Sequence, residues 1–188
     1  MIEIRNYFEK MVAISDHDWA IFSSKLIRRV FDKKALILLV NKKENFLSFI
    51  EKGIVRKYIP KDSDDITIDF AFAGNFVTAY DSFLTRQPSS CQIEATTDTI
   101  IWSISYDDLQ EIYEKTNIGN TIGRLASEDQ FLKKSKRELT FLTKSAEERY
   151  LDLFSEQPHL LKLIPLKHIA SYIGIAPQSL SRIRKSIS

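Results

Sequence analysis

Gln178, Ser179, Ser181, Arg182 and Lys185 lie within eight residues near the C-terminus. An amide, two hydroxyls, a guanidinium and an ammonium in that interval suit one chemistry well: hydrogen bonding to base edges and holding of phosphates. Arg182 is the central candidate. Its planar fork can bind guanine O6 and N7 together, and a phosphate contact is the alternative. Lys185 and Arg184 suit phosphates or solvent, and Ser171 and Lys167, a little upstream, could clamp the nucleic-acid backbone. From Lys162 to Ser188 there are five Lys/Arg and no Asp or Glu.

These side chains need two helices to present them, and the local sequence supplies both. Ile169, Ala170 and Ile173 form one apolar helical face, and small Ala170 permits a close helix approach. Gly174 stands where a tight turn needs positive φ. Pro177 starts a second helix, because its fixed φ and missing N–H are tolerated in the first turn. Leu180 and Ile183 turn inward, leaving the polar residues outside. The spacing predicts a helix-turn-helix.

The remaining composition bounds the reading. A chain of 188 residues with 44% hydrophobic content can bury a core in one or two domains. Its longest apolar run, Ala35–Val40, is too short to cross a bilayer, and Met1-Ile-Glu-Ile-Arg5 lacks a signal-peptide pattern. The single cysteine, Cys91, allows no internal disulfide and fits a reducing cytoplasm. Residues 131–188 carry 11 basic and 5 acidic groups, whereas residues 1–130 carry 16 and 20. The C-terminal part is therefore the one suited to a polyanion. No Gly-rich phosphate loop, Ser/His/Asp signature or His-Glu-x-x-His occurs, and the three histidines lack metal-ligand spacing, so the chain reads as a non-enzyme with no metal or cofactor.

Along the chain, Ile4, Phe8, Met11 and Val12 share a helical face, as do Trp19, Phe22 and Leu26. Seven strands are then predicted, over 26–31, 35–40, 46–51, 54–59, 66–72, 91–96 and 100–105. In the fifth, Ile66, Ile68, Phe70 and Phe72 alternate with Thr67, Asp69 and Ala71, as a half-buried strand does. Polar breakers at 41–45 and 60–65 separate strands. The pattern suggests an antiparallel sandwich or jelly roll. A short helix follows over 107–113 and a long one over about 117–138. Ile118, Ile122, Leu125, Leu132 and Leu139 stand near heptad spacing on it, interrupted by Asp129 and Lys136. That stripe can pack on its own barrel or pair with a second copy; the pattern favours pairing. Thr140–Lys144 is the candidate hinge. Ser145-Ala-Glu-Glu148 has capping-box spacing, and the helix it opens is expected to close at Pro158.

Several segments resemble the Crp/Fnr family of bacterial transcription regulators. Phe49-Ile-Glu-Lys-Gly-Ile-Val55 is similar to the family's strand–Gly–strand hairpin, and Phe72-Ala-Gly-Asn-Phe76 to the turn entering its ligand cassette. Phe141-Leu-Thr-Lys-Ser-Ala-Glu-Glu-Arg149 resembles the hinge and first helix of its DNA-binding domain. Ile169-Ala-Ser-Tyr-Ile-Gly-Ile175 with Leu180-Ser-Arg-Ile-Arg184 is the most specific match. The resemblance covers nearly the whole chain and is close to a subgroup with no assigned effector. It implies an α+β chain: a cyclic-nucleotide-binding-like β jelly roll over 1–116, a dimerisation helix over 117–139, and a winged-helix-type helix-turn-helix domain over 140–188. Any wing would lie before the motif, around Pro158–Pro165.

The departures from the family are informative. Cyclic-nucleotide binders carry a Glu for the ribose and an Arg for the cyclic phosphate. Ala79 and Ser89 stand at those positions here. A buried phosphate without its cation forfeits roughly 1.5–3 kcal/mol, so cyclic AMP is not the expected effector. The resemblance places an effector pocket, if one operates, at Thr78, Ala79, Tyr80, Arg86, Ser89, Ser90 and Leu132. Arg86 could take an anion or be an ordinary solvated loop residue. Cys91 could sense redox state or be inert and buried. The expected function is sequence-specific regulation of transcription by a cytoplasmic homodimer on palindromic double-stranded DNA, with RNA polymerase a further partner implied by the family and no membrane involved. The alternative is a small-molecule or nucleotide sensor acting through protein–protein contacts, its DNA binding weak or lost.

Overall fold

The computed structural model describes residues 1–187. Two short helices open the chain, α1 (Ile2–Glu9) and α2 (Asp16–Ser24). Eight strands follow: β1 (Ile27–Phe31), β2 (Leu36–Leu38), β3 (Phe46–Lys52), β4 (Ile54–Ile59), β5 (Ile66–Phe72), β6 (Phe76–Val77), β7 (Gln92–Ala95) and β8 (Thr99–Ser105), with helix α3 (Tyr80–Thr85) between β6 and β7. The rest is helical: α4 (Tyr106–Lys115), α5 (Gly119–Thr143), α6 (Ala146–Glu156), α7 (Pro158–Leu163), α8 (Leu166–Tyr172) and α9 (Pro177–Ile187).

The strands form two four-stranded sheets, ordered β1-β8-β3-β6 and β2-β7-β4-β5. This is the expected β-rich half, with one correction. Phe49–Val55 is not a hairpin, because β3 and β4 belong to different sheets. Gly53 marks the corner where the chain changes sheet. Its φ is +105°, and an added Cβ would lie 2.8 Å from Thr99 Cα, so only glycine fits. Helices α1, α2 and α4 seal one sheet. Ile4, Phe8 and Phe22 pack with Phe49, Phe83 and Ile104, joined by Leu109 and Ile112. Ser15 and Ser105 start α2 and α4 by accepting the N–H groups of Asp18 and Asp108.

The chain divides into two compact units. One comprises residues 1–59 and 69–128, the other residues 60–68 and 129–188. The second includes a segment that the sequence pattern assigns to the sheets. Alternation along β5 is broken there: Ile66 is exposed and Thr67 fully buried. The reason is a hydrogen bond from the Thr67 N–H to Ser171 Oγ at 2.8 Å, which draws Thr67 against α8.

The apolar stripe of the long helix divides along its length. Ile118, just before α5, and Ile122 within it pack against the core of the first unit. Further along, Phe131, Leu132, Leu139 and Leu142 are 70%, 66%, 57% and 75% exposed. At about 100° per residue these four fall on a single face roughly 100° wide. The helix also continues through most of the expected hinge. Nothing between Thr140 and Thr143 breaks it, and the hydroxyls of both threonines bond back to the carbonyls of Lys136 and Leu139. Only Lys144 separates it from the Ser145 cap. The capping box forms as expected, with both reciprocal bonds present. Pro158–Pro165 holds no wing. Pro158 occupies the first turn of α7, where its ring suits a helix start, and among the described residues no strand follows Ser105.

Candidate nucleic-acid interface

Helices α8 and α9 meet through Ile169, Ala170, Ile173 and Leu180, all buried. Between them the backbone makes a Schellman turn. The Ile175 N–H donates to Ala170 O at 3.0 Å and the Gly174 N–H to Ser171 O at 3.1 Å. Gly174 has φ +76°, the left-handed value that its place after a helix demands. An added Cβ there would lie 2.7 Å from the Phe141 ring, so that ring approaches the turn closely on one side.

Two arginines brace this turn. Arg149 Nε donates to Ile173 O at 3.0 Å, and its Nη1 to Lys144 O at 2.6 Å. Arg137 Nη2 donates to Tyr172 O at 2.9 Å. Both guanidinium groups stand 4.7 Å from the Phe141 ring centre, and Arg137 also lies 4.2 Å from that of Tyr172. The last carbonyls of α8 lack intrahelical donors, so two cations satisfying them also suit the negative end of the helix dipole. Sequence reasoning missed this cage. A stacked guanidinium leaves no periodic signature, and its members are dispersed from Arg137 to Ile173.

The outer face of α9 carries Gln178, Ser181, Arg182 and Lys185, all exposed. At 100° per residue they form a stripe about 100° wide. Ser179 stands beside that stripe and is half-buried, and its Oγ accepts from Arg182 Nη2 at 3.3 Å. Ser181 Oγ donates to Pro177 O, leaving its lone pairs outward. Leu180 is buried and Ile183 half-buried on the opposite side. Ser171 differs from the rest of the candidate set. Its hydroxyl donates to Asp65 O at 2.6 Å and accepts from Thr67 N, so it is engaged inside the protein.

The seven effector-pocket candidates fall into different surroundings. Thr78 is buried, its Oγ1 donating to Phe46 O. Ala79 is buried just before α3. Ser89 is buried, its hydroxyl donating to Cys91 O at 2.9 Å and accepting from Cys91 N at 3.1 Å. Arg86, in the left-handed region at φ +60°, donates to Glu44 O, Phe83 O and Asn45 Oδ1 and stacks 4.4 Å from the Tyr106 ring centre. It is thus a structural clasp rather than a solvated loop residue. Ser90 and Leu132 are exposed.

Tyr80 bonds to Ser127 on α5 at 2.7 Å. The only Ser127 hydroxyl proton goes to Gly123 O, which makes Tyr80 the donor. Glu44, not singled out in the sequence, is buried beneath this segment. Burial pushes its carboxyl above the usual range, against the pull of the Phe46, Ala79 and Asn45 N–H groups. Burial likewise pushes the Cys91 thiol up, which leaves it an unreactive core side chain.

Residues 28–116 match the cyclic nucleotide-binding domain family. The sequence matches none of the curated proteins. Among solved structures, a protein described as a Crp/Fnr-family transcriptional regulator from Eubacterium rectale superposes with a TM-score of 0.75 at 19% identity, over 97% of this chain and 87% of its own. FixK2 from Bradyrhizobium japonicum gives 0.73 at 15% identity, over 86% and 84%. A CooA double mutant from Carboxydothermus hydrogenoformans gives 0.69 at 16%, over 93% and 80%. The fold is that of the Crp/Fnr transcription regulators. The nucleotide-binding-domain match spans β1 to the end of α4, whereas the superposition on the Eubacterium rectale protein extends over 97% of the chain. Among the described residues no helix is long and apolar enough to cross a membrane.

Proposed function

We propose that this chain is a DNA-binding transcription regulator working as a homodimer on palindromic duplex sites. The observation that carries the reading is the outer stripe of α9, where Gln178, Ser181, Arg182 and Lys185 are exposed on a basic, acid-free helix. A rigid helix with a guanidinium and an amide on one face suits the major groove, where each base pair presents a distinct donor and acceptor pattern. Gln178 and Arg182 read bases, Ser179 orients Arg182, and Lys185 reaches a phosphate. The exposed Phe131/Leu132/Leu139/Leu142 face of α5 supports pairing with a second copy, because apolar side chains of that size are usually covered. The division of labour follows the sequence reading: an effector-type domain over 1–116, a dimerisation helix over 117–139 and a DNA-binding domain over 140–188. RNA polymerase is the natural further partner of such a regulator. The effector is not cyclic AMP: Ala79 offers no carboxylate to a ribose, and the Ser89 hydroxyl is already engaged with Cys91.

The test is selection of bound duplexes from a random pool, followed by anisotropy titrations over a salt series and sedimentation of the free protein. The expected result is an enriched palindrome with half-sites about 34 Å apart, a steep salt dependence and a dimer at micromolar concentration. A protein sensor acting only through protein contacts would enrich no sequence.

A further inference from the structure

The hydroxyl of Ser171 joins α8 to a distant piece of chain. It donates to the main-chain carbonyl of Asp65 at 2.6 Å and accepts the N–H of Thr67 at 2.8 Å. Residues 60–68 accordingly belong to the same compact unit as α8. A serine has a single proton to give, and here Asp65 holds it. Ser171 therefore cannot donate to a DNA phosphate while this segment is in place.

The composition of the segment sharpens the conflict. Pro60-Lys-Asp-Ser-Asp-Asp65 carries three carboxylates against one lysine. Asp62 and Asp64 are exposed, and both lie within three residues of Asp65, about 11 Å of chain at most. The helix pair on which the segment sits belongs to a stretch, Lys162–Ser188, with five cations and no acid. Duplex DNA carries about one negative charge per 1.7 Å, and charges within about 8 Å feel one another at physiological salt. Carboxylates pinned beside α8 thus oppose the polyanion that α9 suits.

We propose that Pro60–Asp65 is an autoinhibitory clasp. Docked on α8 through Ser171, it holds three aspartates against the DNA-binding helix pair, and DNA binding requires its release. The inference rests on the DNA-binding reading above. It reverses the expected sign for Ser171: a serine that clamps DNA loses affinity on truncation, whereas a serine that holds the clasp gains it.

The experiment compares full-length wild type, Ser171→Ala and the triple variant Asp62→Asn/Asp64→Asn/Asp65→Asn. Each is titrated with a selected duplex by anisotropy at low and high salt. Hydrogen exchange of the Thr67 N–H is followed with and without DNA, and thermal melts confirm folding. The clasp predicts that the triple variant binds about tenfold tighter at low salt, with the gain shrinking as salt rises. Ser171→Ala binds tighter too, and Thr67 exchanges faster in that variant and in DNA-bound wild type. Unchanged or weaker binding by both folded variants overturns the clasp and leaves DNA binding intact. Binding by the variants alone supports it most strongly. Absence of DNA binding in all three proteins overturns the clasp together with the proposed function.

Discussion

Arg149 Nε lies 3.0 Å from the carbonyl oxygen of Ile173. A residue of α6 thereby finishes the turn between α8 and α9, and the same guanidinium stacks on Phe141 from the end of α5. The turn leading into α9 is thus held by guanidinium groups from α5 and α6.

Arg149→Ala removes two hydrogen bonds from a charged donor and one ring contact, and should destabilise the helical unit by about 1.5–3 kcal/mol. Arg149→Lys restores the charge without the planar fork and should recover less than half of that. Urea unfolding followed by far-UV circular dichroism measures both. A midpoint unchanged by Arg149→Ala would show that the brace contributes nothing.

Gly174→Ala should cost about 1–2 kcal/mol for the left-handed backbone alone, and more from the methyl that would sit 2.7 Å from the Phe141 ring. Adding Phe141→Leu to that variant should relieve the steric part and leave the backbone part. Melting temperatures of the wild type, both single variants and the double variant separate the two contributions.

For DNA, Arg182→Ala should flatten the preference at one base pair per half-site, a loss of about 1–3 kcal/mol of discrimination. Lys185→Ala should weaken all sequences alike and lower the salt slope by about one per subunit. Titrations on single-base operator variants at two salt concentrations distinguish these outcomes. Full sequence preference in Arg182→Ala would rule out the proposed docking of α9.

Acid should weaken the first unit partly through Glu111. Lys115 and Lys25 hold its carboxyl down at about 2, well below the ordinary 4.5. Its contribution is therefore complete above pH 4.5 and is lost as pH falls from 4.5 toward 2. Glu111→Gln should flatten the stability curve in that window. Glu44 has the opposite sign: burial raises its carboxyl, so its effect is a loss of stability as pH climbs above 4.5. Chemical denaturation at a series of pH values, with each residue replaced by Gln in turn, checks both directions.

Much of the architecture was legible because it rests on local rules. Strands β4 and β5 fall at the predicted bounds, 54–59 and 66–72. The capping box at Ser145 and the positive φ of Gly174 are each dictated by a few neighbouring residues. What escaped was set by long-range partners. β6 is only two residues long and exists because Phe76 and Val77 meet Phe49 and Ser48. The change of sheet at Gly53 depends on Asp98 and Thr99 pressing close to it. Thr67 broke its alternation for a serine 104 positions away. The helix opened at Ser145 does stop just before Pro158, at Glu156, but Pro158 also opens α7, since a proline closing one helix can equally start the next. In the site, the α9 stripe followed from periodicity, whereas the roles of Arg86, Arg137 and Ser171 depend on carbonyls contributed by other segments.

Lys144, the first of the two residues between α5 and α6, has a consequence for how the chain meets a protease. A lysine in a pliant linker is a favoured tryptic site, because the peptide must extend into the enzyme's cleft before it is cut. Here the Lys144 carbonyl is held by Arg149 and its ammonium by Asp152 at 2.8 Å, and helices abut it on either side. Extending that peptide means unwinding one of them. Brief trypsin treatment of the native protein should therefore leave the 144–145 bond whole, and the joint works as a fixed elbow and not as a swivel.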